Sequence, residues 1–131
     1  MIIKETSGTP YVFLSTEDCK FEISGNSFSE NINEVYQKIL SWIDAELEKL
    51  NCELDCKFNF NVSNSVTYKN ILIIMTKISE LIRKGKKISV TWCYDEEDED
   101  SLAVGEDIEE LFDIPVKFLE KKELAKNNKQ C

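Results

Sequence analysis

The spacing of apolar and polar residues along the chain predicts a defined series of strands and helices. Two stretches rich in β-branched and aromatic residues, 11–15 (YVFLS) and 19–24 (CKFEIS), flank a short polar turn and predict a β-hairpin. Helical spacing follows, with Asn31 and Glu34 as a capping arrangement at the helix start. The apolar positions of this long amphipathic helix are Ile32, Val35, Ile39, Trp42, Ile43, Leu47 and Leu50.

The second half of the chain continues the alternation of strands and helices. Apolar residues occupy every second position of residues 54–62, from Leu54 to Val62, which predicts a half-buried strand. Helical spacing returns at residues 66–84, and Gly85 is a stop signal. Three further elements are predicted: a strand at 87–95, a helix at 104–112 and a short strand at 114–120.

This order, β-β-α-β-α-β-α-β, predicts an α/β fold with a mixed sheet of about five strands and about three helices. A chain of 131 residues, of which 42% are hydrophobic, is long enough to bury one core. We therefore expect a single domain over residues 1–120. Residues 121–131 are polar and are expected to form a fraying tail.

Composition and charge exclude several classes of function. With 25 acidic against 16 basic residues, the net charge of −9 repels nucleic acid and anionic lipid, so neither is an expected partner. The longest aliphatic run, residues 71–75, is far shorter than a membrane span, and the first ten residues lack a secretory signal, so we expect a cytoplasmic protein. The absence of histidine excludes classical zinc fingers and Ser-His-Asp triads within this chain.

The five cysteines are Cys19, Cys52, Cys56, Cys93 and Cys131. An extended strand would hold Cys52 and Cys56 about 13 Å apart, beyond the reach of a disulfide of about 7 Å. We expect the cysteines to be reduced thiols. Because no histidine or lysine cluster is near it in sequence, Cys93 is expected to be a small apolar filler of the core rather than a nucleophile.

Residues 61–70 (NVSNSVTYKN) join a strand pattern to a helix pattern with a cluster of polar side chains. The simplest role for Asn64 and Ser65 is to cap the helix, an interaction worth about 1 kcal/mol. A strand-to-helix turn also presents backbone amides and the positive end of the helix, which favour a phosphate. A phosphoryl group on Ser65 would add a charge of about −1.5 to −2 and change the surface shown to partners without refolding.

Several short motifs follow one another along the chain. They are Thr9-Pro10, residues 25–31 (GNSFSEN), Trp42, Asn64-Ser65-Val66-Thr67-Tyr68-Lys69, Trp92-Cys93-Tyr94-Asp95 with the following EEDED, and Gly105-Glu106-Asp107. Each motif alone is modest, but their order and separations make a specific pattern. Over about residues 5–119, this pattern resembles the SiaC family of bacterial regulatory phosphoproteins.

The resemblance implies a non-enzymatic signalling protein with a fold similar to STAS (anti-anti-sigma) domains and without a cofactor. It implies that Ser65, the first hydroxyl after the asparagine, is phosphorylated by a partner kinase and dephosphorylated by a metal-dependent protein phosphatase. Asn64 and Lys69 keep the family spacing around this residue. In the family, the unphosphorylated form binds and activates an effector, a diguanylate cyclase.

Two departures from the family pattern keep alternatives open. Val66 replaces a hydroxyl and Ser29 replaces a proline, so this chain could be a constitutive interaction module that has lost phosphorylation. Ser63 and Thr67 are the alternative acceptors. We expect Ser63 to be the more buried of the two and Thr67 to lie in the first helical turn.

Four residues outside the junction are candidates for partner binding: Phe28, Glu30, Asp95 and Asp98. Phe28 lies in a polar loop, and the stretch DEEDED at residues 95–100 is expected to be a solvated loop that could dock a basic partner. A calcium loop is not expected, because Asp100 stands where the template needs glycine. An enzyme using the carboxylates of Glu30, Asp95 and Asp98 is the remaining rival. Trp42, Trp92 and Tyr94 are expected in the core.

Overall fold

The computed structural model describes residues 1–122, so residues 123–131 of the predicted fraying tail lie outside the described part of the chain. Six strands and three α-helices alternate within the described residues. A 3-10 turn at Leu47–Lys49 extends the first helix. The elements are β1 (Ile2–Ile3), β2 (Tyr11–Ser15), β3 (Lys20–Ser27), α1 (Ile32–Glu46), β4 (Leu54–Ser63), α2 (Ser65–Arg83), β5 (Ile88–Tyr94), α3 (Glu99–Phe112) and β6 (Val116–Glu120).

The strands form one mixed sheet in the order β1-β2-β3-β4-β5-β6. β2 is antiparallel to both of its neighbours, whereas β3 to β6 are parallel. Each parallel pair is joined through a helix, and because such crossovers are right-handed, the three helices cover the same face. α2 lies between α1 and α3. The carboxyl ends of the four parallel strands therefore meet at one edge, which we call the carboxyl edge, where every helix begins.

The core lies between the sheet and the helices, and β4 shows how the sequence pattern builds it. Its alternate residues from Leu54 to Phe60 are buried, while Asp55 is exposed. The Phe58 ring packs against Phe21 and Trp92 on the neighbouring strands. None of the helices in residues 1–122 is both long and apolar enough to cross a membrane. The buried helix residues that cover this face include Tyr36, Ile39, Ile43, Ile71, Ile74, Met75, Ile78 and Ile108.

The predicted α/β class, mixed sheet and three helices are confirmed. The sheet has six strands rather than about five, because Ile2–Ile3 pairs with β2. The predicted capping arrangement at α1 is wrong: Asn31 precedes the helix, but its side chain makes no capping hydrogen bond. Instead, the Ile32 amide bonds to the Ser29 carbonyl oxygen at 3.1 Å, so the backbone itself forms the turn.

The acidic stretch is not a simple solvated loop, and α3 begins at Glu99 rather than at residue 104. The Asp98 carboxylate accepts a hydrogen bond from the Ser101 amide at 3.1 Å and caps the helix. Glu99 and Asp100 then lie in the first turn, where negative charge is favoured by the helix dipole. Residues 99–100 are therefore helical, and only 95–98 remain as a connection.

The expectation of reduced cysteines is wrong for one pair, since Cys19 and Cys52 form a disulfide. The two residues are 33 positions apart, but pairing of Lys20 with Asp55 brings the starts of β3 and β4 side by side. Cys56 and Cys93 are free and buried, and burial raises the pKa of both thiols. Their burial agrees with a packing role for Cys93. Cys131 lies outside the described residues.

Candidate functional site

The polar junction lies at the carboxyl edge, where β4 passes into α2. Asn64 is extended, and its side-chain oxygen accepts a hydrogen bond from the Thr67 amide at 3.0 Å, which confirms it as the cap of α2. Its side-chain nitrogen donates to the Phe28 carbonyl oxygen at 3.4 Å. Asn64 therefore joins the start of α2 to the loop that follows β3.

Ser65 is the first residue of α2, and its side chain is exposed. Asn64 caps the helix through Thr67, and within residues 1–122 the amides of Ser65 and Val66 have no acceptor. These amides and the dipole of a 19-residue helix provide partial positive charge next to the Ser65 hydroxyl. A phosphate on this oxygen would therefore be stabilised by the helix end.

Lys69 is exposed and lies one turn after Ser65. Residues four apart are neighbours on a helix surface, so the Lys69 ammonium group can reach a negative group carried by Ser65. Asn64 and Lys69 are therefore placed differently with respect to Ser65: Asn64 is hydrogen-bonded to the backbone, and Lys69 is exposed one turn further along α2.

Thr67 lies in the first turn of α2, as expected, but its side chain is only 2% exposed. Its hydroxyl donates to the Ser27 carbonyl oxygen at 2.7 Å and is 2.6 Å from the Ser27 hydroxyl. Ser27 is in turn 2.9 Å from the Tyr36 hydroxyl. Because each hydroxyl has a single hydrogen, Tyr36 must donate to Ser27, and Ser27 must donate to Thr67.

This chain of buried hydroxyls has two consequences. Burial raises the pKa of Tyr36 to about 12, an effect opposed by its hydrogen bond with Ser27. The Thr67 hydroxyl donates its hydrogen to the Ser27 carbonyl oxygen and lies beneath the surface. Another protein cannot reach it while the first turn of α2 is formed. The roles of Ser27 and Tyr36 have no signal in the sequence, since each residue alone is typical of an ordinary strand or helix.

Asn70 is another buried polar residue near the start of α2. Its side-chain nitrogen donates to Asn33 at 2.9 Å and to the Val66 carbonyl oxygen at 3.0 Å. The bond to Asn33 fastens the first turns of α2 to α1, whereas the bond to Val66 lies within α2. The only sequence signal was a polar residue beside the apolar positions of a helix.

The expected burial of Ser63 is wrong, since Ser63 is exposed together with its neighbour Val62. β5 pairs with β4 at Phe58, and its last residue Tyr94 lies only two positions further along, so the end of β4 extends beyond β5 and pairs only with β3. Val62 is 56% exposed for this reason, although its position continues the buried alternation of β4.

Three exposed apolar residues neighbour Ser65, two in the sequence and one through a hydrogen bond to Asn64. Val62 precedes Ser65 by three positions, and Val66 follows it directly and is 37% exposed. Phe28 is 43% exposed, and its carbonyl oxygen accepts the hydrogen bond from the Asn64 side chain. We call Phe28, Val62 and Val66 the junction patch. Apolar side chains clustered at one edge form a surface suited to a protein partner.

A cleft of about 380 Å³ lies beside the junction, between the first turns of α2 and α3. Its mouth carries Asp98 and Asp100, and its interior reaches Trp92, whose indole nitrogen donates to the Ser101 carbonyl oxygen at 2.9 Å. Ser65 is next to this cleft, because Tyr68, three residues later on α2, lines it. The other lining residues are Phe60, Asn61, Val62, Ser63, Thr67, Ile71, Ser101 and Val104.

All four predicted partner-binding residues are exposed near the carboxyl edge. Phe28 and Glu30 lie in the connection from β3 to α1, on one side of the junction. Asp95 and Asp98 lie in the connection from β5 to α3, on the other side, and share a shallow depression with Val62. Phe28 and Asp98 thus lie on opposite sides of the Ser65 turn. The strand β4 separates Glu30 from Asp95 and Asp98.

Lys121 follows β6 and reaches back over the end of β5 to β4. Its ammonium group donates to the Phe60 carbonyl oxygen and, at 3.1 Å, to the Asn61 side chain. Lys121 was predicted to begin the fraying tail. Its bonds place it against the end of β4. Lys121 therefore lines the depression that Asp95 and Asp98 share.

The comparisons with known proteins give one consistent result. A family model described as SiaC family regulatory phosphoprotein matches residues 3–121. A protein of Pseudomonas aeruginosa, described as uncharacterized, is 22% identical over 113 residues, which cover 86% of this chain and 90% of the relative.

Two crystal structures from Pseudomonas aeruginosa share the fold. One, of the diguanylate cyclase SiaD in complex with its activator SiaC, matches with a TM-score of 0.84 and 21% identity, covering 92% of this chain and 98% of the matched chain. The other, of apo-SiaC, matches with a TM-score of 0.82 and 20% identity, covering 91% of this chain and 97% of the matched chain.

Proposed function

The chain belongs to the SiaC family of regulatory phosphoproteins, and we propose that it is a non-enzymatic cytoplasmic signalling protein switched by phosphorylation of Ser65. A partner kinase adds the phosphate, a metal-dependent phosphatase removes it, and the unphosphorylated form binds an effector. A diguanylate cyclase is the proposed effector, because a structural relative is the activator of such an enzyme.

The exposed Ser65 hydroxyl at the start of α2 is the observation that supports this proposal most directly. Of the three candidate hydroxyls, that of Thr67 is buried and committed to hydrogen bonds, whereas Ser63 and Ser65 are exposed. Ser63 still belongs to β4, while Ser65 has the free amides of α2 beside it. A phosphate is therefore better stabilised on Ser65 than on Ser63.

The switch acts through the junction patch around Ser65. An effector that covers Phe28, Val62 and Val66 would come close to the Ser65 hydroxyl, since Val66 follows Ser65 directly and Phe28 is hydrogen-bonded to the preceding Asn64. A phosphate within that contact would have to lose its hydration, and it would add negative charge next to the cleft that Asp98 and Asp100 line. Desolvation of a dianion and like-charge repulsion would cost several kcal/mol, enough to release the effector.

The direct test is a phosphorylation assay with the cognate kinase, followed by mass spectrometry of the junction peptide. Ser65→Ala should abolish incorporation of phosphate, whereas the matched control Ser63→Ala should be phosphorylated like the natural protein. Normal incorporation into Ser65→Ala would contradict the assignment. Binding of the cyclase should then be weaker for the phosphorylated protein than for the unphosphorylated protein.

A second candidate function is a constitutive interaction module. It is favoured by Val66, which replaces a hydroxyl of the family pattern and adds apolar surface next to Ser65. The two functions differ in cells. A phosphorylated junction peptide under any growth condition supports the switch, and its absence under all conditions, with the effector still bound, supports the constitutive module.

A further inference from the structure

Cys19 and Cys52 lie at the edge of the sheet opposite to the carboxyl edge. Cys19 immediately precedes β3, and Ser27 at the far end of β3 is in the hydroxyl chain beneath Ser65. Eight strand residues span roughly 23 Å, so the cysteine pair is remote from the proposed phosphorylation site. Any chemistry of this pair is therefore separate from the proposed switch.

Accessibility distinguishes this pair from the other cysteines described. Both residues are partly exposed and line a surface depression of about 380 Å³ together with Thr16, Glu46 and Lys49. In contrast, Cys56 and Cys93 are buried in the fold. A small thiol can approach the Cys19–Cys52 bond without unfolding the protein.

We propose that Cys19 and Cys52 form a reversible redox site that exchanges with small thiols of the glutathione class. In a reducing compartment, disulfides are commonly transient and redox-sensing rather than permanent. The proposal concerns a modification site independent of Ser65, and it holds whether or not Ser65 is phosphorylated.

The fold holds the two cysteines together without the bond between them. The Asp55 amide donates to the Cys19 carbonyl oxygen at 2.9 Å, and the Asp18 amide donates to the Ser15 hydroxyl at 3.0 Å within the turn before Cys19. On the other side, the Leu54 amide donates to the Lys87 carbonyl oxygen at 2.9 Å. These contacts keep the Cα atoms near their present 6.3 Å after reduction, a separation at which a disulfide readily forms again.

Reduction proceeds in two balanced exchange steps. A glutathione thiolate attacks one sulfur of the pair, the Cys19–Cys52 bond breaks, and the other cysteine leaves as a thiolate that takes a proton from water. A second glutathione thiolate attacks the glutathione sulfur of the mixed disulfide and releases glutathione disulfide and the second cysteine thiolate, which is also protonated. Two electrons pass from two glutathione molecules to the protein, and oxidation is the reverse.

Cys52 packs against the hydrophobic core, so we expect the first attack on the sulfur of Cys19. The mixed disulfide should be short-lived in the natural protein, since the neighbouring Cys52 thiol is held within reach and displaces the glutathione. Without Cys52, no resolving thiol is present, and glutathione should remain on Cys19.

The redox state should also change stability. The bond closes a loop of 33 residues in the unfolded chain, and its loss increases the entropy of that chain. For a domain of this size we expect the Tm to fall by roughly 5 to 15 °C on reduction, with the fold retained. The hydrophobic core has no other described crosslink to lose.

The experiment uses the full chain with Cys131→Ser, so that this thiol cannot pair with Cys19 or Cys52. The protein is equilibrated in buffers of varied ratio of reduced to oxidised glutathione, trapped with acid and alkylated, and its peptides are mapped by mass spectrometry. We expect one two-electron transition confined to Cys19 and Cys52, an unchanged circular dichroism spectrum and the lower Tm in the reduced form. Cys52→Ser should accumulate glutathione on Cys19.

The matched control is the double variant Cys19→Ser, Cys52→Ser, whose Tm should be the same in oxidising and reducing buffer. Three results would overturn the proposal: a pair that stays oxidised at every ratio, a pair that stays reduced at every ratio, or a protein that unfolds on reduction. The rate of Ser65 phosphorylation should change by less than about twofold between the two redox states. The redox titration does not depend on the kinase. If the kinase does not act on Ser65, the titration still tests the redox site, so the two proposals are tested independently.

Discussion

Thr67 and Ser27, 40 residues apart in the sequence, exchange two hydrogen bonds beneath the start of α2. The Thr67 hydroxyl donates to the Ser27 carbonyl oxygen at 2.7 Å and accepts from the Ser27 hydroxyl at 2.6 Å. With Tyr36 as the first donor, these bonds fasten α2 to the end of β3 and to α1. The exposed Ser65 hydroxyl is thus presented by a turn that is fixed from below.

Thr67→Val should destabilise the protein by about 1 to 3 kcal/mol. Valine keeps the shape of threonine but leaves the Ser27 hydroxyl and carbonyl oxygen without this partner in a buried place. Urea denaturation measures the change. The control is Thr76→Val in the same helix, where the hydroxyl is exposed and bonds only to the Leu72 carbonyl oxygen. Equal losses for the two variants would contradict a special role for Thr67.

Alkaline pH should weaken the fold through Tyr36. Its pKa is raised from 10.0 to about 12 by burial, so the folded state holds the phenol proton more tightly than the unfolded state does. The resulting stability is fully present below pH 10 and is lost as the pH rises towards 12. Two pKa units correspond to about 3 kcal/mol. The unfolding free energy of the natural protein is compared with that of Tyr36→Phe from pH 8 to 11.5. The two values should converge above pH 10, and a difference that stays constant with pH would refute this.

Asn64→Ala should cost about 1 to 2 kcal/mol, because the Thr67 amide loses its capping partner and the Phe28 carbonyl oxygen loses a donor. Asn64→Asp is the matched variant. It keeps the capping oxygen and removes only the side-chain N–H group, so its loss should be smaller. Thermal denaturation checks the order of the three proteins, and an alanine variant as stable as the aspartate variant would exclude the cap.

Gly105→Ala should destabilise the protein by about 1 to 3 kcal/mol, although alanine favours helices. A Cβ atom at Gly105 would lie 2.6 Å from Cδ1 of Trp92 and 2.8 Å from Cε1 of Phe118. Both rings belong to the packed sheet, so α3 must move away from it. The displacement should change the Trp92 fluorescence. Glu106→Ala at the next, exposed position should change stability by less than about 0.5 kcal/mol.

Val62→Asp should weaken binding of the cognate cyclase by roughly tenfold or more, because a carboxylate would have to be desolvated within the junction patch. The control is Leu111→Asp, since Leu111 is 65% exposed near the other end of α3. Calorimetric titration measures both, and both should keep the Tm of the natural protein within a few degrees. Comparable losses of affinity would show that the junction patch is not the effector surface.

The sequence was a good guide wherever a local pattern decides the structure. Alternation in β4 and helical spacing in α1 and α2 predicted these elements closely, because burial of one face is visible in the residues themselves. The strand-to-helix turn at Asn64 and Ser65 was also predicted from local capping chemistry. β1 was missed, since two residues contain no period and are held only by pairing with β2.

Local sequence patterns were less informative at the ends of the helices and strands. A run of acidic residues suggested a loop, but the cap supplied by Asp98 and the helix dipole allow α3 to begin within it. Val62 continues an apolar alternation and is nevertheless exposed, because β4 extends beyond its neighbour β5. Whether an apolar residue is buried depends on the length of the adjacent strand, and that length cannot be inferred from the residue itself.

The sequence by itself determined the order of the elements from β2 to β6, most of the buried positions within them and the place of the Ser65 turn, since these follow from side-chain periodicity and capping over short spans. Only the tertiary structure decided that Thr67 is buried against Ser27 and Tyr36, that Cys19 meets Cys52, and that the junction patch and the acidic connection share one edge. The reason is that these contacts join residues far apart in the chain. Their formation depends on how the parallel strands pair, and strand pairing is a property of the whole sheet.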